Sequence, residues 1–334
     1  MEAKAYFIKG CDLVSNQMMN ALAVTILGKK AELISLPIPV ADANSIVIKT
    51  AYSSVSIGTE MWIAEGKRND YGSVPFVNGY QATGKVVAIG PGAESKVKLG
   101  DPVAVFCSGA HSEYVKAPID LVHKLSSADS MQTCSMFVQP SVAANAWNLA
   151  NLQTGDIAYV VGQGLVGQCA SMIAKLRGAY VIASDISEDR LIRSRANCAD
   201  WVINSTEENA LNAILQQFPE GVDVVAESTG FTTLLDDAMS ACRRKGTFVF
   251  LGWYPDRASF HFQTPHEKQL SAVFPCFIGD RPVRESVIRW IEEGKLNMRA
   301  LISHELHWSE AEHVYNQLFT PERNSYNGIT IKWD

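Results

Sequence analysis

The sequence has no Cys-x-x-Cys pair. Its seven cysteines stand at 11, 107, 134, 169, 198, 242 and 276, and the nearest two, Cys107 and Cys134, are 27 residues apart. That spacing excludes a zinc ribbon, and an odd number in a long chain fits reduced thiols rather than a disulfide frame. Nowhere do apolar residues run on for the roughly 18 positions that a membrane-spanning helix needs. The opening "MEAKAYFIKGCDLVSNQMMN" lacks the apolar stretch and small-residue cleavage site of a signal peptide. The expectation is a cytoplasmic protein with no membrane role. Basic excess is absent too: 29 Lys and Arg against 35 Asp and Glu leave a net charge of −6, which argues against binding nucleic acid, since that requires a basic face. There is no low-complexity segment and no repeat of fixed period.

What the chain does have is size and apolar content. Its 334 residues, 47% hydrophobic and 19% charged, exceed one ordinary core and suit two globular domains. From about 21 to 125, short runs such as "ALAVTIL", "SIVIKTAYSSV", "GKVVAIG", "DPVAVF" and "SEYVKAP" are apolar or alternating, and Gly and Pro punctuate them. This predicts a compact, barrel-like β unit. The texture changes near 127, where "SADSMQTCSMFVQPSVAANAWNLAN" has helical spacing interrupted at Pro140. From 157 onward apolar strands alternate with helices of about a dozen residues, the pattern of βαβ units and a parallel sheet covered on both faces. After 271, the helical "RPVRESVIRWIEEG" and "SEAEHVYNQLF" and a last strand, "NGITIKWD", read as a return to the first unit. The domains are therefore set at 1–126 with 271–334, and at 127–270.

The segment "IAYVVGQGLVGQCASMIAKL" carries Gly162-Gln163-Gly164-Leu165-Val166-Gly167, a full G-x-G-x-x-G. The motif alone is weak, but here it follows a strand and opens a helix. Gly162 permits a tight turn, Gly164 lets backbone approach a pyrophosphate, and Gly167 allows close helix–strand packing. The pyrophosphate would rest on the free N–H groups at the helix start. The next strand ends in Asp185, 21 residues after Gly164, where a ribose-reading acid belongs. Ile186 and Ser187 follow, with Arg190 a helical turn on, so NAD(H) is preferred and NADP(H) stays open. Ser228 and Thr229 in "ESTG", and Gly252, Trp253 and Tyr254 in "LGWY", end later strands and are expected to flank the nicotinamide half of the cofactor.

The order of β-rich unit, glycine-loop unit and C-terminal return, with "SIGTE", "NGYQATGKVVAIGPG", "KLGDPVAVF", "GAHSEYVKAP" and "GQGLVGQ", resembles the medium-chain dehydrogenase/reductase superfamily from about residue 21 onward. Within it, "SIGTE" and "FLGWYPDRASFHFQTPHEKQLSAV" look most similar to the group around bacteriochlorophyllide 3-hydroxyethyl dehydrogenase. The resemblance implies an α/β protein: a GroES-like β-rich catalytic domain plus a Rossmann doubly wound parallel sheet. It implies a homodimer or a dimer-based tetramer, paired through the last strand of the nucleotide sheet, expected at "RASFHF", residues 257–262.

Zinc-dependent members of that superfamily carry Cys two residues before the Thr of the first motif, His-Glu after the Gly of the second, and a further ligand from the helix leading into the nucleotide domain. Here those places hold Ile57, then Tyr80 and Gln81, then Gln139 or its neighbours. Zinc takes thiolate, imidazole or carboxylate, so no metal is expected. Cys107 and His111, four apart, lack a third ligand nearby. Tyr80 resembles the position of the lost histidine, beside the expected nicotinamide, and is either an oxyanion donor or a space-filling aromatic. Ser56, Thr59 and His111 are weaker catalytic candidates. Glu60 is a further weaker candidate, or a structural acid, since acids at this motif often pair with arginine. Trp62, Phe76, Tyr80, Trp253, Tyr254 and Phe277 suggest an apolar pocket for a small-molecule substrate.

Three functions remain open at this point. The first is a zinc-independent NAD(H)-dependent oxidoreductase acting on a ketone or alcohol, an imine or an activated alkene. The second is a quinone or enoyl reductase using NADPH. The third is a nucleotide-binding protein without turnover.

Overall fold

The computed structural model describes residues 17–68, 73–254 and 257–333; Cys11 lies outside them. The chain forms two compact units, Met1–Phe137 with Ile302–Asp334, and Val138–Leu301.

The first unit is built on the strand Ser45–Val55, which is long and alternates weakly because it is covered on both faces. Along one side it pairs antiparallel with Gln81–Ile89. Along the other, residues 45–49 pair with Tyr114–Pro118 and residues 52–55 with Gly328–Lys332. The seven-stranded sheet continues to Pro102–Phe106 and Val122–Lys124 at one end and Ile302–His307 at the other. A smaller sheet sets Met18–Ile26 between Lys30–Pro37 and Phe76–Val77. One buried cluster joins Ile46, Ile48, Val86, Val103, Val105 and Val115. A second joins Leu22, Met61, Ile63, Phe76, Tyr315 and Trp333. Each fully buried large side chain contributes about 1.5–3 kcal/mol. Phe76 is buried in this core.

The second unit is a six-stranded parallel sheet in the order Trp201–Asn204, Tyr180–Asp185, Ile157–Val161, Val222–Glu227, Cys242–Phe250, Ser271–Val273. Strand order reverses beside Ile157–Val161, so the ends of that strand and of Val222–Glu227 open a crevice at the switch point. Their register aligns Val161 with Glu227 and with Ser184. The helices Leu165–Leu176, Glu188–Asn197, Ala210–Gln217 and Leu235–Ala241 connect the strands.

Three expectations differ from this architecture. The strand expected at 257–262 does not form. Those residues are exposed, and the place beside Cys242–Phe250 is taken by Ser271–Val273, with Thr247 opposite Ser271 and Val249 opposite Val273. Pro140 does not interrupt its helix. Val138–Leu149 begins just before it, so the proline stands in the first turn, where no intrahelical N–H bond is lost. The boundaries fall at 137/138 and 301/302 rather than 126/127 and 270/271. Ser271–Val273 joins the parallel sheet, and Arg281–Glu292 packs on Val138–Leu149; only the last strands and the helix Ala311–Gln317 rejoin the first unit. The six described cysteines are free thiols.

Candidate functional site

In the second unit the glycine loop leaves the strand Ile157–Val161 with Gly162 at φ +87° and enters the helix Leu165–Leu176 at Gly164. A Cβ on Gly167 would stand 1.9 Å from the Gly162 carbonyl oxygen, so helix and loop approach as only glycine allows. Above Gly164 the space is open, and no side chain caps the helix. Its first-turn N–H groups have no intrahelical acceptor. A free helix start fronted by open space fits a pyrophosphate.

The side chain of Gln163 turns inward and is fully buried. Its Nε2 donates to Gly162 O at 3.0 Å and Val160 O at 3.2 Å, and its Oε1 accepts from Ser194 Oγ at 2.8 Å and Ser171 Oγ at 3.2 Å. Gln163 therefore contributes the loop's floor. Asp185 is 8% exposed at the end of its strand. Its Oδ2 accepts from Gln163 N at 2.6 Å and its Oδ1 from Ser187 N at 2.9 Å, while Arg190 Nη1 stands 3.8 Å away. Each carboxylate oxygen keeps a lone pair for a ribose hydroxyl. Ile186 is 73% exposed beside it, and Leu165 and Val166 are half-buried.

Glu227 is the residue that motif reading missed. It is fully buried at the end of Val222–Glu227. Its carboxylate accepts from Thr229 N at 2.7 Å and Gly230 N at 3.1 Å, and from the hydroxyls of Thr229 and Tyr254 in short contacts. Its carbonyl accepts from Leu251 N and Gly252 N. One side chain thus ties "ESTG" to "LGWY". Burial and the adjacent carboxylate hold the Tyr254 phenol far above its ordinary pKa, so it stays a donor. Ser228 Oγ donates to Val161 O at 2.8 Å and Gly162 O at 2.9 Å, which fastens the same segment to the glycine loop. The hydroxyls of Ser228, Thr229 and Tyr254 are engaged in this scaffold, whereas Trp253 is 44% exposed.

The first unit gathers the other candidates. Ser56 precedes the helix Ile57–Ala64, and Ser56 N donates to Glu60 Oε1 at 2.7 Å. Thr59 is half-buried. Among the described residues Glu60 pairs with a histidine and a tyrosine rather than an arginine: its Oε2 meets His111 Nε2 at 2.8 Å and accepts from Tyr315 OH at 3.0 Å. His111 is fully enclosed, its Nδ1 2.8 Å from Ser53 Oγ, which itself accepts from Trp333 Nε1 at 2.8 Å. Both ring nitrogens are committed inside the unit, so His111 is a framework residue rather than an exposed acid or base. Tyr80 is half-buried, edge-on to Phe106 with centroids 5.9 Å apart, and its carbonyl accepts from Cys107 N at 3.0 Å.

The donors do not fit a catalytic zinc. Ile57 has no lone pair, Tyr80 is a phenol, and the amide of buried Gln81 donates toward Ser54 O at 3.4 Å. Gln139 offers only an amide. Both ring nitrogens of His111 are already engaged, by Ser53 Oγ and Glu60 Oε2. Among the described residues no group of three or more His, Cys, Asp and Glu could hold a metal ion.

Residues 42–127 match the family model described as alcohol dehydrogenase GroES-like domain, and residues 166–293 match that described as zinc-binding dehydrogenase. The L-threonine 3-dehydrogenase of Pyrococcus horikoshii is 26% identical over 324 residues, covering 86% of this chain and 92% of that protein. Among solved structures, a putative zinc-binding dehydrogenase from Sinorhizobium meliloti bound to NADP superimposes with a TM-score of 0.86 at 17% identity, over 95% of this chain and 100% of that one. An alcohol dehydrogenase from Escherichia coli complexed with NADH gives 0.84 at 19%, over 95% and 99%. No helix among the described residues is long and apolar enough to cross a membrane.

Proposed function

The chain belongs to the medium-chain dehydrogenase/reductase superfamily, an enzyme family of NAD(P)-dependent oxidoreductases, and on that premise we propose that it transfers hydride without zinc between NAD(H) and a small or medium organic substrate. The substrate would be a ketone or alcohol, an imine or an activated alkene. The observation that carries the reading is a contrast: the nucleotide cradle is intact, from the open helix start at Gly164 to Asp185 at the end of the next strand, while the zinc-ligand places hold Ile57, Tyr80 and Gln81. In this respect the chain departs from the description of the family model that its second unit matches.

Bound nicotinamide supplies the hydride chemistry. The N–H groups at the start of Leu165–Leu176 bind the pyrophosphate, and Asp185 orients the ribose and repels a 2′-phosphate. Glu227 holds Ser228–Gly230 and Leu251–Tyr254 at fixed spacing along the crevice. Without a Lewis acid, charge on a substrate oxygen needs a protein donor, and Tyr80 is that donor, its phenolic proton directed to the developing oxyanion. A cytoplasmic homodimer or dimer-based tetramer is part of the same proposal.

The test is binding of NADH against NADPH, followed by turnover of a panel of ketones, alcohols, quinones, imines and enones. Tighter NADH binding with turnover of a panel member supports the reading; tight binding with no turnover supports a non-enzymatic nucleotide-binding role. One observation favours the NADPH-using quinone or enoyl reductase as a second reading: Arg190 lies 3.8 Å from Asp185, a cation within reach of a 2′-phosphate.

A further inference from the structure

We propose that the buried Glu60–His111 contact is a positioning clamp that fixes the segment bearing Ser56 and Thr59 against the segment bearing Tyr80. The comparison with a metal rests on the zinc-independent reading above: a zinc ion bound at the Ile57 and Tyr80 positions would join these same two segments, and here the Glu60–His111 contact spans them beyond the end of the strand pairing at Ser53 and Ala82. On the first segment, Glu60 reaches back along its own helix. Its Oε1 accepts from Ser56 N at 2.7 Å, which sets where Ile57–Ala64 begins and therefore how Thr59 is presented. On the second, the His111 ring lies beneath Gly79, the residue before Tyr80. A Cβ on Gly79 would come within 2.8 Å of three ring atoms, and Gly79 keeps φ +83° over it. The Gly79 carbonyl accepts from Gly109 N and Ala110 N, and His111 N donates to Asn78 O. Tyr80 thus leaves a backbone seated directly on the ring that Glu60 holds.

The two halves are joined a second time. Asn78 Nδ2 donates to Tyr315 OH at 2.6 Å and to Glu60 O at 3.3 Å, and Tyr315 OH donates to Glu60 Oε2 at 3.0 Å. Donor accounting gives one consistent arrangement. Trp333 Nε1 donates to Ser53, Ser53 donates to His111 Nδ1, and His111 Nε2–H donates to the carboxylate. Ser53, Glu60 and His111 are all fully buried, and Asn78 and Tyr315 nearly so. A carboxylate enclosed this deeply is tolerated only when its oxygens are supplied with donors, and here Ser56 N, His111 and Tyr315 supply them. A connected buried network of this kind holds its members to one geometry. Nothing in the arrangement lets His111 exchange protons with a ligand; Glu60 and His111 act through Thr59 and Tyr80.

The experiment uses the full-length protein with 3-fluorotyrosine placed at position 80. Fluorine NMR, NADH affinity and turnover of the best panel substrate are compared for wild type, Glu60→Gln and His111→Asn. The clamp predicts that both substitutions shift or split the position-80 resonance and lower kcat by about a hundredfold, the consequence of roughly an ångström of misplacement, with the NADH dissociation constant changed less than about twofold. Folded variants with an unmoved resonance and unchanged kcat overturn it. If both variants fail to fold, Trp333→Phe serves instead: it removes one donor at the far end of the chain of bonds, and an unmoved position-80 resonance in that variant also overturns the clamp. Zinc content of the wild type is measured separately. Stoichiometric zinc would refute the metal-free reading and with it the substitution for a metal, whereas a silent resonance in a zinc-free protein would refute the clamp alone.

Discussion

Replacing Asp185 with alanine should convert the nucleotide preference. The carboxylate makes two internal bonds, from Gln163 N at 2.6 Å and Ser187 N at 2.9 Å, and keeps lone pairs toward the crevice. Losing charge-assisted bonds from ribose hydroxyls removes about 1.5–3 kcal/mol. That corresponds to a rise of about 10- to 150-fold in the NADH dissociation constant. NADPH should behave differently, because removal of the carboxylate also removes its repulsion of a 2′-phosphate and frees Arg190, now 3.8 Å away. NADPH affinity should hold or improve. The variant should also melt lower, since Gln163 N and Ser187 N lose their acceptor at about 1–3 kcal/mol, or several degrees for a unit of this size. Fluorescence titration with both nucleotides, alongside a thermal melt, separates the two effects. Equal weakening of NADH and NADPH with a lowered melting temperature would mean that Asp185 only braces the glycine loop. Wild-type protein that binds NADPH more tightly than NADH would refute the selectivity argument altogether.

Tyr80→Phe should lower turnover by about a hundredfold, as loss of one oxyanion donor does elsewhere, with NADH affinity unchanged; near-wild-type turnover would make Tyr80 a space filler. Elemental analysis should find far less than one zinc per chain, and chelator should leave NADH binding and turnover intact, whereas stoichiometric zinc lost together with activity would end the metal-free reading. Stability should decline in alkali. Burial raises the thiols of Cys198 and Cys242 from 9.0 to about 12 and the Tyr159 phenol from 10.0 to about 12. A raised folded pKa stabilises fully below the unfolded value and is lost on the way up to the folded one, so urea midpoints should fall as pH climbs from about 9 toward 12; a flat profile across that window would contradict the burial of these groups. Light scattering at micromolar concentration should give about two or four times the 36.5 kDa of one chain, for a homodimer or a dimer-based tetramer, and a monomer mass would reject both.

The nucleotide half was legible in the sequence because its determinants are local. Gly162, Gly164 and Gly167 fall within one strand–turn–helix, and each glycine answers a backbone need in its own neighbourhood, as the 1.9 Å approach at Gly167 illustrates. Asp185 could be placed by counting, since one βα unit separates it from the loop. The alternation of apolar strands and helices fixed the sheet's type for the same reason. What counting could not supply was choice among distant partners. The apolar alternation at 257–262 is a sound strand pattern, yet Ser271–Val273 takes the edge, because pairing depends on which segment the preceding turn and helix deliver to the open strand. Glu227 carries no motif, and only the fold brings Tyr254 to it. Glu60 invited an arginine; tertiary structure gave it His111, 51 residues on, and Tyr315, 255 residues on, while Trp333 closes on Ser53 across 280 residues. A buried carboxylate requires donors, and the sequence states that requirement without saying who meets it. The answer lies in which side chains the folded first unit brings within 3 Å, a property of the folded chain and of no segment in it.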